Sequence, residues 1–233
     1  MINAHVANLA RYNAGHLDGE FLKLPATTED VQKLLKHIHV DGIRYESIFI
    51  TEYHTDIAGL RGLGEYENLD ELNYLASLLT DLDEWDIKKF EAAAIHGEHS
   101  GSVQDLINLT QNLECYEYYP GVKDYDELGR YLIEELDYEK IPEHLTDYFD
   151  YESYASDYVI NEGGNFVDGG FVFRNSVDFE EHYNGKNVPE EYKIFAYPAP
   201  EKSIQKALAT YQQLISETPT AENERPQSVK AER

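Results

Sequence analysis

Apolar and polar positions along the chain change period several times, and the periods predict an α+β protein built as units in series. Ile2–Leu9 and Glu20–Leu24 read as short strands across a turn holding Asn13, Gly15 and Gly19, with Pro25 ending the second. Val31, Leu34, Leu35 and Ile38 then recur at helical spacing behind Thr27 or Thr28 as N-cap. Glu29 and Asp30 in the first turn, and Lys33, Lys36 and His37 later, suit that helix's dipole. Tyr45–His54 alternates and is rich in β-branched and aromatic residues, which predicts a third strand. Together these make a small α+β unit over residues 1–63.

Gly59, Gly62 and Gly64 mark a break, read as a hinge, after which the pattern turns helical over 64–113. Asn68 and Glu71 form a capping-box pair ahead of Leu72, Leu75, Ala76, Leu79 and Leu82. Asp83 caps a helix carrying Ile87, Phe90 and Ala94. Ser102 and Asp105 open a third with Val103, Leu106, Ile107, Thr110 and Leu113. Their outer faces collect Glu65, Glu67, Asp70, Glu71, Asp81, Asp83, Glu84 and Asp86.

A third, mixed α/β unit is expected over 114–175. Tyr125, Leu128, Leu132 and Leu136 form a helical stripe taken as core, with Asp126, Glu127, Glu134 and Glu135 turned outward. Pro142 begins a short helical turn, and Tyr148–Ala155 predicts another. Tyr158–Asn161 and Phe171–Arg174 read as strands around Gly163, Gly164, Gly169 and Gly170. A C-terminal extension over 176–216 carries a possible strand at Lys193–Tyr197 and a helix at Glu201–Ile215. Residues 217–233 have almost no apolar content and are expected to be disordered.

Charge changes this picture most. The 233 residues hold 45 acidic and 19 basic side chains, a formal net charge of -26. From Asp124 to Val167 the only cations are Arg130 and Lys140. Against them stand Asp124, Asp126, Glu127, Glu134, Glu135, Asp137, Glu143, Asp147, Asp150, Glu152 and Asp157, with Glu139 and Glu162. Like charges held together repel, so the cluster is costly to fold. The balance argues against direct binding to nucleic acid or to an anionic membrane. Cys115 is alone, so no intrachain disulfide forms and a reducing compartment fits. With no signal-peptide pattern and no apolar run near a membrane span, a cytoplasmic protein is expected.

Candidate chemistry is sparse. His96 and His99 in HGEH, and His37 and His39 in HIH, lack metal-ligand spacing and read as surface histidines near helix ends. Cys115 sits in ECYEYY, where acidic neighbours raise a thiol's pKa. No phosphate-binding or nucleophile motif is present, so no cofactor, no metal and no catalysis are expected. The sequon at Asn108 reads as chance. The acidic field is either solvated surface or an imitation of a polyanion. Duplex DNA carries one charge per about 1.7 Å, so -26 matches the phosphates of about 44 Å, or about 13 base pairs.

Two segments resemble the ArdA antirestriction family. Ala7, Asn8, Leu9, Tyr12, Asn13, Gly15, Leu17 and Gly19 fall on the family's opening pattern. Leu128–Val167 is similar to its antirestriction region, carrying Arg130-Tyr131, Ile141-Pro142-Glu143-His144-Leu145, Tyr148-Phe149-Asp150-Tyr151 and Tyr154 in order. The likeness covers about residues 2 to 174 and is weakest in the middle helices. Phe21 stands where the family commonly has Trp, in a position taken as aromatic core. The extension from about Asn175 has no counterpart in short members.

The resemblance implies an elongated, acidic, three-domain protein that mimics bent B-form DNA. Such proteins act as homodimers in the DNA-binding groove of Type I restriction-modification enzymes, chiefly the methyltransferase core. The outward carboxylates of both acidic regions would then stand for phosphates. Two other classes fit the composition: an acidic adaptor or chaperone for a basic protein, and a carboxylate-pair hydrolase.

Overall fold

The computed structural model describes residues 2–60, 62–199 and 212–213. It is a mixed α/β structure holding two small antiparallel sheets. In the first, β1 (Ile2–Asn8) is central between β2 (Gly19–Leu24) and β3 (Ile48–Thr55). A five-residue helix, α1 (Leu9–Asn13), fills the expected turn between β1 and β2. Alternation puts Ile2, Ala4, Val6, Leu22, Leu24 and Ile50 in one apolar cluster with Val31, Leu34 and Leu35 of α2 (Thr28–His37). α2 starts where Thr27 and Asp30 exchange side-chain-to-backbone hydrogen bonds, a reciprocal cap. Phe21 is not core. Its register opposite His5 turns it to the outer face, 41% exposed, with the rings of His5 and His54 each 4.8 Å away.

Three helices follow: α3 (Leu69–Asp81), α4 (Glu84–His96) and α5 (Val103–Thr110). Asn68 caps α3 by accepting from Asp70 N, but Glu71 does not complete a capping box. Gly59 works as a close contact: an added Cβ would lie 2.3 Å from Ala94 Cβ on α4. The hinge reading of Gly59 therefore gives way to packing. The apolar cluster runs unbroken from Ile2 through Leu72, Leu75, Phe90 and Ile107 to Tyr116. Among the described residues the apolar cluster is continuous across residue 63.

The second sheet has the order β4-β6-β5, built from β4 (Tyr116–Pro120), β5 (Asn165–Val167) and β6 (Gly170–Arg174). β4 and β5 were not legible in the pattern. A second cluster, Tyr119, Val122, Leu128, Leu132, Ala155, Phe171 and Phe173, packs α6 (Tyr125–Arg130) and α7 (Tyr151–Glu162) on this sheet. Tyr158–Asn161, expected as a strand, is the last part of α7, which Asp150 caps through Ser153 N. α6 runs into a π-helical turn at Tyr131–Glu135. That turn shifts the helical phase, so Leu128 and Leu132 are fully buried while Leu136 stays 37% exposed. Tyr125, in the first turn, is 38% exposed. Only the middle of the expected stripe is core.

Residues 176–198 run back over the helices as an irregular strap, burying Tyr183, Val188 and Ile194 in the first cluster. Lys193–Tyr197 is not a strand. The helix expected over 201–215 lies outside the described residues apart from Gln212 and Gln213, which are helical, and the expected tail lies outside them altogether. Among the described residues no helix is long and apolar enough to cross a membrane.

Candidate partner-binding surface

The expected carboxylates fall into two populations. Around α3 and α4 four of the eight serve the fold. Glu67 accepts from Gly64 N at 2.9 Å. Asp70 accepts from Ile194 N and Phe195 N, both at 2.7 Å, and Glu71 accepts from the Tyr183 hydroxyl at 2.7 Å. Asp83 takes the N–H groups of Trp85 and Asp86 at 2.8 Å each. Glu67, Asp70, Glu71 and Asp86 are half-buried, whereas Glu65, Asp81, Asp83 and Glu84 are exposed.

From α6 onward all eleven expected carboxylates are exposed. Asp124 and Asp150 cap α6 and α7, and Glu127 accepts from Lys123 N. Asp126 and Glu134 flank Arg130, one helical turn away on either side. Among the described residues, the side chains of Glu135, Asp137, Glu143, Asp147, Glu152 and Asp157 have no hydrogen-bond or ion-pair partner. Asp137 is also held at φ 53, in the left-handed region, just past the π-turn. The backbone N–H and then the hydroxyl of Ser153 hold Asp150 below the usual carboxylate range.

Arg130 is the one cation built into this region. Asp126 raises its pKa, and its guanidinium lies over the Tyr151 ring, 4.4 Å from the centroid. Gly129 makes that crossing possible: an added Cβ would stand 2.1 Å from the Tyr151 carbonyl oxygen. Tyr131 packs on Tyr119 at 4.8 Å, and Phe149 lies 5.0 Å from Tyr151 and 5.7 Å from Tyr154. The motif residues thus hold α6 against α7, and the carboxylates between them face solvent. Leu145, Tyr148 and Ile160 are exposed beside them, at 45%, 86% and 76%.

Other candidates resolve as structure. His99 stacks on Phe179 at 3.7 Å and His96 contacts Asn165, so both are packed and not free surface histidines. The described residues bring no three His, Cys, Asp or Glu side chains into a metal-holding group. Burial first, then Glu114, pushes up the thiol of Cys115. Asn108 is buried with its amide on Tyr183, which removes the sequon as a glycan acceptor. Exposed Asp178, Glu180, Glu181, Glu190 and Glu191 on the strap extend the acidic surface beside α3 and α5. The runs DFEEH and PEEY carried that signal in the sequence.

A scaffold of Gly129, Arg130, Tyr131 and Tyr151 beneath exposed carboxylates is what the resembling segment builds. A family model for the antirestriction protein ArdA matches residues 4–173. The chain belongs to the ArdA family. Membership implies an antirestriction role, and ArdA is a family of non-enzymatic inhibitors that interact with Type I restriction enzymes. The ArdA match ends within β6, so the strap lies beyond it. No curated protein matches the chain.

Proposed function

We propose that this ArdA-family protein inhibits Type I restriction-modification enzymes by occupying the DNA-binding groove of the methyltransferase core as a mimic of B-form DNA. The observation that carries this reading is the run of twelve exposed carboxylates from Asp124 to Asp157, against Arg130 and Lys140 as the only cations. A fold maintains such a field against its own repulsion when a cationic groove is the partner. Glu65, Asp81, Asp83, Glu84 and Asp86 extend the set, with units 1–63, 64–113 and 114–175 read in series along the partner. Asp70 and Glu71 act mainly as ligands of the strap in this reading.

The inhibitor works as a homodimer, with Leu145, Tyr148 and Ile160 as the apolar contact. It does not bind nucleic acid itself, and it works in the cytoplasm. Competition tests the proposal. Purified protein displaces a DNA duplex from a Type I methyltransferase at low salt, and its affinity falls steeply as salt is raised. No displacement at low salt overturns it. Sedimentation of wild type against Tyr148→Asp tests the dimer, which is expected to shift towards monomer.

A further inference from the structure

The segment outside the family match is held in an unusual manner. The buried polar side chains of the described residues are Asn8, Asn73, Asn108, Thr110 and Asn112, and three of these serve the strap. Asn108 donates to Tyr183 O and accepts from Tyr183 N, both at 2.8 Å. Asn112 repeats the arrangement one turn on, donating to Glu180 O at 2.9 Å and accepting from Glu180 N at 2.8 Å. Asn73 on α3 donates to Tyr192 O at 2.9 Å. Asp70, one turn earlier on α3, accepts from Ile194 N and Phe195 N.

Each contact is made to main chain, so it carries no demand on the side chain of the bound residue. A primary amide offers two N–H donors and a carbonyl acceptor, so Asn108 and Asn112 pair one donor and the acceptor with the strap and keep a donor on the helix carbonyls of Gln104 and Asn108. Selection comes instead from Tyr183, Val188 and Ile194, which are buried in the apolar cluster, with Phe179, Tyr192 and Phe195 packed against it. Tyr183 is the most committed, with its ring edge-on to Tyr74 at 5.7 Å and its hydroxyl on Glu71. Burial, then the Glu71 carboxylate, raises its pKa, so the phenol stays a donor.

We propose that the face formed by α3 and α5 is a peptide-docking groove, reading main chain through Asn73, Asn108 and Asn112 and anchoring an aromatic and two aliphatic side chains. Its occupant is the chain's own segment 178–195, held by non-covalent recognition and not merely by connectivity. The inference is independent of the antirestriction reading, since no carboxylate of the α6–α7 region takes part.

The test uses the full chain with a protease site placed at the exposed Ser176–Val177, cut after folding. The C-terminal fragment is expected to co-elute with the rest, and excess synthetic peptide 178–195 to displace it where a scrambled peptide does not. Asn108→Leu, close in volume, leaves the Tyr183 N–H and C=O unpaired and should weaken retention about tenfold. Tyr183→Ala should release the fragment. Hydrogen exchange over α4 and the β1–β3 sheet, which share the first cluster with the groove, reports whether either variant is still folded. Loss of the wild-type fragment on cutting overturns the proposal, as does equal retention by Asn108→Leu in a folded protein.

Discussion

The carboxylates around α3 and those after α6 are the same residue types at similar density, yet they are used differently. Near α3, Glu67, Asp70, Glu71 and Asp83 each hold a backbone N–H or a hydroxyl, and the fold depends on them. After α6, Glu135, Asp137, Glu143, Asp147, Glu152 and Asp157 stand in solvent and hold nothing. A charge that is hydrogen-bonded contributes to stability, whereas an unpaired one in a like-charged field costs some. The second population is therefore the one left free to meet a partner.

The cores beneath the two populations differ as well. The first cluster runs from the N-terminal sheet to the strap, while the second is a small set of mostly aromatic side chains under α6 and α7. The largest expected effect breaks the second alone. Gly129→Ala drives a Cβ into the Tyr151 carbonyl, which lies in backbone and cannot rotate away. It should cost about 3 kcal/mol, a fall in Tm of about 6–12 °C. Hydrogen exchange should show α6 and α7 opening with the first cluster still protected. Equal loss in both clusters would mean that they fold as one.

Neutralising the free carboxylates should break function and spare the fold. Changing Glu135, Asp137, Glu143, Asp147, Glu152 and Asp157 together to amides is expected to lower affinity for a Type I methyltransferase more than tenfold and to flatten its salt dependence. The Tm should hold or rise, because repulsion is relieved. Unchanged inhibition would move the contact surface elsewhere on the molecule.

Alkaline pH loads both clusters through their tyrosines. Burial first pushes Tyr119 and Tyr158 well above their usual range in the second cluster, and Tyr116 up to about 12 in the first. A phenol raised in the fold contributes stability that is fully present below its unfolded value, about 10, and is lost as pH rises through the folded value. Each such group steepens the fall by about 1.4 kcal/mol per pH unit. Tyr53 and Tyr183 are raised likewise in the first cluster, so unfolding followed above pH 10 should be steep in both. A flat profile to pH 12 would contradict the burial of these hydroxyls.

Much of this was legible along the chain where local pattern and local physics agree. Val31, Leu34 and Leu35, a cap at Thr27 or Thr28, and the Leu128–Leu132 pair follow from spacing alone. What the chain hid depends on contacts distant in sequence. Leu136 follows helical spacing but falls past a π-turn, and Phe21 turns outward because of its register with His5. Asp70 and Glu71 look like surface acids, and only the strap more than a hundred residues later makes them ligands. Strands β4 and β5 are too short for alternation to separate them from the acidic and glycine-rich runs around them. The carboxylates of α6 and beyond were foreseen as exposed because they fall off the apolar stripe in a stretch whose only cations are Arg130 and Lys140, and no cation is brought to Glu135 or Asp137 by the fold.

The smallest predicted effect is also the sharpest contrast, because it compares one carboxylate from each population. Asp83→Ala removes the cap of α4 and leaves the N–H groups of Trp85 and Asp86 to water, which should cost about 1 kcal/mol. Glu135→Gln touches no partner and should change stability by less than about 0.5 kcal/mol, in the stabilising direction if repulsion dominates. Neither change alone should lower inhibition more than about twofold, since a distributed field loses little with one charge. Denaturant midpoints and competition binding on the two variants measure both. Should Glu135→Gln abolish inhibition in a folded protein, the field would not be distributed, and a discrete contact at the end of the π-turn would replace it.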